Sequence, residues 1–359
     1  MATLVVNAGS SSHKLVLFDA DGGRLWGGAI DWADRGGALA QGPQQLSQAL
    51  APLLAEAQTC TAGASITAVG HRIVHGGDRF RSAVVLDAAV TDELEALRRL
   101  APLHNGPALD TLAVLRQLLP TAWHGAAFDT AFHRSLPPEA ATYALPAAWR
   151  ARGLHRFGFH GLSHGAIARR FPAARLISAH LGGGCSLAVI EGGRCRDTTM
   201  GFTPLDGLVM GTRSGSLDPG LLLELLDQGV SPAELREGLH RRSGLLGLSE
   251  QSSDMRLLRQ RAAAGDGPAR LAIDVFQHQL LKAIGAGIAL LGGFDVLALT
   301  GGIGEHDGVL RDWLQGRLQG LGLAPAGPAR LEVVPADEEG EILRQLRALE
   351  PPPPGTPGG

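Results

Sequence analysis

The sequence predicts an α/β fold built twice, as two domains. Three observations predict it. The chain has 359 residues, more than one small core accommodates, so two domains are the default expectation. Short apolar runs of strand character alternate with longer helical segments, the pattern of layered α/β units. And one segment occurs twice: Asn7-Ala-Gly-Ser-Ser-Ser ahead of Leu-Val-Leu-Phe lays over His180-Leu-Gly-Gly-Gly-Cys ahead of Leu-Ala-Val-Ile. Each copy ends in an acid and Gly-Gly-Arg, Asp21 with Arg24 and Glu191 with Arg194, which marks an internal repeat.

The elements follow in order. Apolar, β-branched runs at 4–7 and 15–19 read as strands, joined to a third at 24–30 through Asp-Ala-Asp-Gly-Gly, a hairpin turn. Residues 44–58 read as a helix, one that Pro52 could break or kink. A strand at 66–69, helices at 91–100 and 106–119, and a strand at 123–128 complete the first half. The second half opens with strands at 175–180 and 186–191. Helices then follow at 218–228, 232–240, 254–264 and 268–291, the last long and apolar. A strand at 296–300, a Gly301–Gly304 loop, a helix at 307–321, a strand at 331–334 and a helix at 337–349 close the pattern. Residues 351–359, PPPPGTPGG, have nothing to bury and are expected to be disordered.

Composition excludes several function classes. With 45% hydrophobic and 19% charged residues the chain reads as soluble and globular, and its net charge of −3 leaves no electrostatic footprint for nucleic acid or an acidic membrane. No basic region precedes an apolar run at the N-terminus, so no signal peptide is expected. The greasiest stretch, 284–293, is short and follows Lys282, as a buried helix end would. Cys60, Cys185 and Cys195 lack metal-ligand spacing, which with the absence of a leader predicts a reduced, cytoplasmic protein. Lys14 and Lys282 are the only lysines against a large excess of arginine, so Lys14 at the start of a strand reads as more than surface decoration.

The repeated turn supplies the first chemical reading. Glycine-rich hairpins present backbone N–H groups to an anion with no Cβ in the way, so two of them point to phosphates gripped in a cleft between the halves. Arg72 and Arg213 sit in glycine-rich, low-charge segments, GHRIVHGG and MGTRSG. A pair of such cations suits a reaction that brings anions together. Asp129 ends an apolar strand, where α/β sites collect, though an aspartate there also reads as a helix N-cap. His160 and His164 are spaced i, i+4 without the glutamate of a zinc motif. His160 therefore reads as a hydrogen-bond donor, His164 as a packing or capping residue, and His71, His75 and His133 as structural. Ser252-Ser253-Asp254-Met255-Arg256 reads equally as a helix cap or as a nucleoside contact. Gly301-Gly302-Ile303-Gly304 matches neither the dinucleotide nor the P-loop spacing, yet would let a ring or ribose lie against backbone.

Taken together, NAGSSSHK, GHRIVHGG, APLHN, FDTAFH, FGFHGLSH, HLGGG, DTTMGFTPLDGLVMGTRSG, TGGIGE and VPADEE resemble the motifs of the acetokinase family, in that family's order from residue 7 to residue 339. The family lies in the acetate and sugar kinase, Hsp70 and actin superfamily. The resemblance implies a duplicated actin-like, ribonuclease H-like fold with an interdomain cleft. The first domain would span 1–148, completed by helix 337–349, and the second 149–336. It implies a cytoplasmic homodimer using Mg²⁺ or Mn²⁺ and ATP/ADP to phosphorylate acetate. Asn7 and Glu338 would hold the metal, with Ser10, Ser12 and Lys14 near the phosphates. Arg72 would bind the acetate carboxylate, and Val74, Leu103, Phe159 and Pro204 its methyl group. Asp129, His160 and Arg213 would be catalytic. His180, Leu181, Gly182, Gly183, Gly184, Asp254, Met255, Arg256, Gly302, Ile303, Gly304, Glu305 and His306 would surround the nucleotide. Three departures stand out. Gly183 replaces the asparagine of the family's HLGNG, Asp337 replaces an asparagine beside the metal glutamate, and segments before Gly70, before His180 and between Arg311 and Leu331 are short.

The competing readings are a kinase for propionate or butyrate, a sugar kinase with Asp129 as base, a pyrophosphate-using variant, and a catalytically weakened nucleotide-binding member. Arg72 argues against the sugar kinase, because a neutral hydroxyl needs no cationic clamp. The open glycine loop at 301–304 favours adenosine over pyrophosphate.

Overall fold

A computed structural model describes residues 1–9, 12–32, 42–98, 102–320 and 330–349. The tail at 351–359, Ser10 and the side chain of Leu103 lie outside the described residues. The chain forms two compact units, Met1–Phe132 with Asp337–Gly359, and His133–Ala336.

In the first unit β1 (Ala2–Ala8), β2 (Ser12–Phe18) and β3 (Arg24–Asp31) pair antiparallel, and α1 (Gly42–Thr59) follows. Strand β4 (Ile66–Ile73) lies parallel to β1. Beyond it come a short β5 (Val84–Val85), α2 (Ala88–Leu97), α3 (Pro102–Leu118) and β6 (Trp123–Phe128), which is parallel to β4. The sheet order is β3-β2-β1-β4-β6-β5.

The second unit begins with short helices α4 (Pro138–Ala141) and α5 (Ala147–Arg150), then α6 (Gly161–Arg170). Strands β7 (Arg175–Leu181), β8 (Cys185–Glu191) and β9 (Arg194–Thr198) form the antiparallel part. Five helices follow: α7 (Pro219–Asp227), α8 (Pro232–Arg241), α9 (Gly244–Ser249), α10 (Met255–Ala263) and α11 (Gly267–Leu291). Then β10 (Val296–Thr300), α12 (Gly301–His306), α13 (Gly308–Gly320) and β11 (Arg330–Val333) complete the unit. Its sheet order is β11-β10-β7-β8-β9. Helix α14 (Glu338–Arg347) belongs to the first unit.

The duplication read from the repeated turns is therefore a duplication of topology. In β3-β2-β1-β4-β6 and β9-β8-β7-β10-β11, three antiparallel strands continue into two parallel ones. Residues 133–148, grouped with the first domain on sequence, pack within the second unit. His133 Nε2 donates to the Phe159 carbonyl at 2.8 Å, its Nδ1 lies 3.2 Å from Cys195 Sγ, and the Arg156 amide donates to the Ala141 carbonyl at 2.8 Å.

Alternation along the strands decides what covers each face of the first sheet. Leu4, Val6, Leu15 and Leu17 pack with Leu46, Leu50 and Leu54 of α1 and with Val114 and Leu115 of α3. Burial of these leucines explains why α1 runs through Pro52 without a break. Each fully buried leucine is worth about 1.5–3 kcal/mol, against roughly 3 kcal/mol for an interior proline. The opposite face carries Asn7, Gly70, Arg72 and Gly125, and α14 lies on it. Gly70 has no room for a Cβ, which would stand 2.8 Å from Leu346 and 2.9 Å from Ile342. In the second unit, the expected Gly301–Gly304 loop is the start of helix α12. Gly301, at φ +78°, approaches the Leu181 carbonyl where a Cβ would clash at 2.7 Å.

Candidate active site

Because β1, β4 and β6 run parallel, their carboxyl ends deliver Asn7, Arg72 and Asp129 side by side, the usual place for an α/β site. Arg72 Nε and Nη2 fork onto the two oxygens of Asp129 at 3.0 and 2.6 Å, and Nη1 donates to Asn7 Oδ1 at 2.8 Å. The Asn7 amide donates to Glu338 Oε2 at 2.8 Å and to Glu339 Oε1 at 3.2 Å, so the start of α14 closes the group. Asp129 is fully buried. Burial alone would favour loss of the Arg72 proton, but the charges of Asp129 and then Glu338 outweigh it and hold the guanidinium charged. A guanidinium has five N–H donors. The partners above take three; the remaining donors, one on Nη1, which lies 3.9 Å from Glu338 Oε2, and one on Nη2, have no hydrogen-bond partner among the described residues.

The other first-unit candidates lie around this group. Val74 is buried just beyond β4. Lys14 is exposed and pairs across the hairpin with Asn7, so it stands on the same face of the sheet. Ser12 opens β2, and its carbonyl accepts from the Gly9 amide at 2.8 Å. Sequence reasoning did not single out Glu339 or Asn105. Asn105 is buried and clamps both backbone groups of His75 at 3.0 Å, tying α3 to the segment after β4. Its signal was present in the APLHN stretch, where a buried amide is costly unless it is fully bonded.

In the second unit, the β7–β8 turn is the centre. Gly182 N donates to the Gly184 carbonyl at 3.0 Å, and a Cβ placed on Gly184 would stand 3.1 Å from His160 Nε2 and 3.7 Å from Arg213 Nη1. His160 and Arg213 therefore converge over bare backbone. His160 is held at φ 57°, left-handed, as the N-cap of α6, a strained conformation that aims its ring at the turn. Its Nδ1 lies 2.9 Å from Ser186 Oγ. Arg213 Nη1 donates to the Pro204 carbonyl at 2.9 Å, so Pro204 contributes backbone to this group. His180, at the end of β7, has Nδ1 2.9 Å from Ser163 Oγ and its ring 4.4 Å from that of His160. Phe159 is buried, and its carbonyl is taken by His133.

Beside the turn lies a cavity of about 590 Å³, lined by Gly182, Gly183, Asp254, Met255, Arg256, Gly302, Ile303 and His306, all singled out on sequence, and by Ser253, Arg259 and Asp307. Gly183 and Gly302 have nothing within 4 Å of a would-be Cβ. Asp254 caps α10 through the Arg256 amide at 2.9 Å, as one of its sequence readings has it, pairs with the Arg256 guanidinium at 2.8 Å, and lines the cavity. Leu181 is buried, and Gly304 packs on β10. Glu305 turns back onto the Gly301 and Ala336 amides at 3.1 and 3.0 Å. Arg259 and Asp307, a 3.0 Å ion pair on the cavity wall, carried no sequence signal because α10 and the junction between α12 and α13 meet only in the fold.

The family model described as the acetokinase family matches residues 2–336. Acetate kinase of Synechococcus sp. (strain JA-2-3B'a(2-13)) is 44% identical over 344 positions, 87% of this chain and 85% of the relative. Acetate kinase of Deinococcus radiodurans is 40% identical over 391 aligned positions, covering 97% of this chain and 98% of the relative. Among solved structures, Porphyromonas gingivalis acetate kinase superimposes with a TM-score of 0.85 at 32% identity, covering 97% of this chain and 100% of that one. A propionate kinase from Francisella tularensis subsp. tularensis SCHU S4 gives 0.86 at 31%, covering 96% and 98%. The two-unit α/β fold, the repeated sheet and the sequence match agree: the chain is a kinase and belongs to the acetokinase family.

Proposed function

We propose that the protein is an acetate kinase, transferring the γ-phosphoryl group of ATP to acetate, reversibly, to give acetyl phosphate and ADP. One observation carries the choice of acceptor. Arg72 is locked by Asp129 and Asn7 with two N–H donors left over, a fixed cation that suits a carboxylate and has no use for a neutral hydroxyl. Acetate is ionised at neutral pH, so no base is needed to make the nucleophile. Asp129, committed to Arg72, orients the cation and takes no proton. Catalysis is then positioning and charge neutralisation. Arg213 and His160, converging over Gly184, stabilise charge on the phosphoryl group, and the cavity beside the turn holds the nucleotide.

Magnesium takes hard oxygen donors, commonly one or two carboxylates plus substrate phosphates. The carboxylate of Glu338 and the amide oxygen of Asn7 are donors of that kind and would hold the ion, with the Asn7 nitrogen donating to Glu338 and its oxygen accepting from Arg72 here, although no cluster of three or more His, Cys, Asp or Glu suited to a metal occurs among the described residues. When bound, the ion would neutralise phosphate charge. A homodimer is part of the same reading, supported by α7, whose Leu221, Leu223 and Leu226 are 46%, 63% and 40% exposed. Unpaired cysteines suit the cytoplasm, and no described helix is long and apolar enough to cross a membrane.

The second reading is a longer acyl chain, favoured by the likeness to the propionate kinase. Hydroxylamine trapping of acyl phosphate with ATP and Mg²⁺, across acetate, propionate and butyrate, tests both. Acetyl hydroxamate is expected in excess. Absence of hydroxamate from every carboxylate would sink the reading, and a preference for propionate or butyrate would replace it with the second.

A further inference from the structure

A hydrogen-bonded chain runs through the interior of the second unit toward the β7–β8 turn. Ser178 Oγ on β7 lies 2.8 Å from His164 Nδ1, His164 Nε2 lies 2.8 Å from Ser186 Oγ on β8, and Ser186 Oγ lies 2.9 Å from His160 Nδ1. Ser178, Ser186 and His164 are completely buried, and burial, then the neighbouring histidines, keep the His164 ring neutral. A neutral imidazole carries one N–H and one bare nitrogen, so the protons along the chain must all point the same way.

We propose that Ser178, acting through His164 and Ser186, is a positioning residue that fixes His160 as the tautomer bearing its proton on Nε2, so that a neutral N–H donor faces the phosphate-binding turn. The direction follows from the buried end. Ser178 has no hydrogen-bond partner but His164 Nδ1 among the described residues, so its hydroxyl proton is satisfied only by donation to that nitrogen. His164 then carries its proton on Nε2 and donates to Ser186. The Ser186 hydroxyl in turn donates to His160 Nδ1, leaving the His160 proton on Nε2. The reverse direction strands the Ser178 hydroxyl proton in a dry interior, which is costly.

The same device acts once more. Ser163, also buried, has His180 Nδ1 as its only partner among the described residues, at 2.9 Å, so its hydroxyl donates there and His180 too bears its proton on Nε2. The two Nε2 atoms lie 3.1 Å and 3.7 Å from the points where Gly184 and Gly182 would carry a Cβ. Two neutral donors thus face the turn beside the Arg213 charge, and neither can serve as a hydrogen-bond acceptor toward a phosphate oxygen. The role of these donors toward phosphate rests on the kinase reading; the tautomers do not.

Nitrogen-15 NMR of ring-labelled histidine in the ligand-free protein at pH 8 reads the tautomers directly, with His160→Gln and His180→Gln assigning the two resonances. Both rings are expected with the proton on Nε2, and a proton on Nδ1 of His160 overturns the proposal. Ser178→Ala, which removes a hydroxyl bonded to His164 alone among the described residues, is expected to give His160 a mixture of tautomers. With it kcat should fall roughly tenfold, less than the loss of a whole transition-state donor, with KM for acetate and ATP unchanged. A stable Ser178→Ala enzyme with wild-type kcat and an unchanged His160 resonance would refute the relay. If no acyl phosphate forms with any carboxylate, the kinase reading fails while the tautomer result stands on its own.

Discussion

At the residue scale the first-unit group behaves as one object. Arg72 touches Asp129, Asn7 and Glu338 together, so replacing it removes the forked cation from the buried Asp129 carboxylate and, on the proposed function, from the acceptor. Arg72→Lys keeps the charge but cannot fork onto Asp129 while also reaching Asn7. It should lower kcat/KM for acetate by roughly 100-fold, about 2.7 kcal/mol of transition-state binding, measured by hydroxamate formation. Activity within a few-fold of wild type would show that the forked geometry is unnecessary. Gly183 yields the opposite kind of prediction. It lines the cavity, has nothing within 4 Å of a would-be Cβ, and has no left-handed φ. The asparagine of the family's HLGNG therefore fits without strain, and a restored hydrogen bond to a charged phosphate is worth about 1.5–3 kcal/mol at most. Gly183→Asn should lower KM for ATP by up to roughly 100-fold with KM for acetate unchanged, and a higher KM for ATP would refute the contact. Asp337, the other departure from the family, caps α14 through the Gly340 amide at 3.1 Å, work that asparagine does equally well.

At the scale of elements, legibility in the sequence tracked locality. The strand at Trp123–Phe128 and the paired hairpins were readable because their apolar alternation and turn glycines are local signals. Helix α6 was not read, since its Gly-Leu-Ser-His-Gly start looks like a loop until Ser163 and His164 find Ser178, Ser186 and His180 across the fold. Pro52 and Gly301–Gly304 misled for a related reason: tertiary packing outweighed local propensity. Within the site, Arg72, Asp129 and Asn7 stood out as polar residues in apolar or glycine-rich runs. Arg259 and Asp307 looked like ordinary helix charges. The packing of α14 makes a prediction of its own. Gly70 lets Leu346 and Ile342 close onto β4, and the same helix carries Glu338 into contact with Asn7. Gly70→Ala should cost roughly 1–3 kcal/mol by overpacking, read as a lower urea midpoint, and should lower kcat by displacing Glu338. Unchanged stability with unchanged kcat would mean that the Leu346 and Ile342 side chains give way while α14 stays in place.

At the scale of the whole molecule, both units rest on buried neutral histidines, and this sets the response to acid. Burial pushes His13, His124 and His133 down to about 4, and holds His71 and His164 well below the usual histidine value too. His13 shows why they stay neutral. Trp32 Nε1 donates to its Nδ1 at 2.8 Å while its Nε2 lies 2.7 Å from Thr111 Oγ1, so protonation would set two donors face to face. Each group has a folded pKa below its unfolded value near 6.5, so the unfolded chain binds more protons between pH 6.5 and about 4. Stability is therefore fully present above pH 6.5 and is lost as pH falls through that window, by up to about 1.4 kcal/mol per pH unit for each histidine. Asp197, whose carboxyl is raised by burial, works in the opposite direction, but it is one group against five. The carboxylates held low by arginine or backbone partners, Asp254, Asp266 and Asp295, lose their contribution only below about pH 4 and so leave the window to the histidines. Urea unfolding followed by circular dichroism at pH 7.5, 6.0 and 5.0 should show the midpoint nearly constant above pH 6.5 and falling steeply below it. Because His13, His71 and His124 lie in the first unit and His133 and His164 in the second, probes in either unit should report the same fall. A midpoint flat down to pH 5 would mean that the folded histidines take up protons as readily as the unfolded chain does, and would overturn their lowered values.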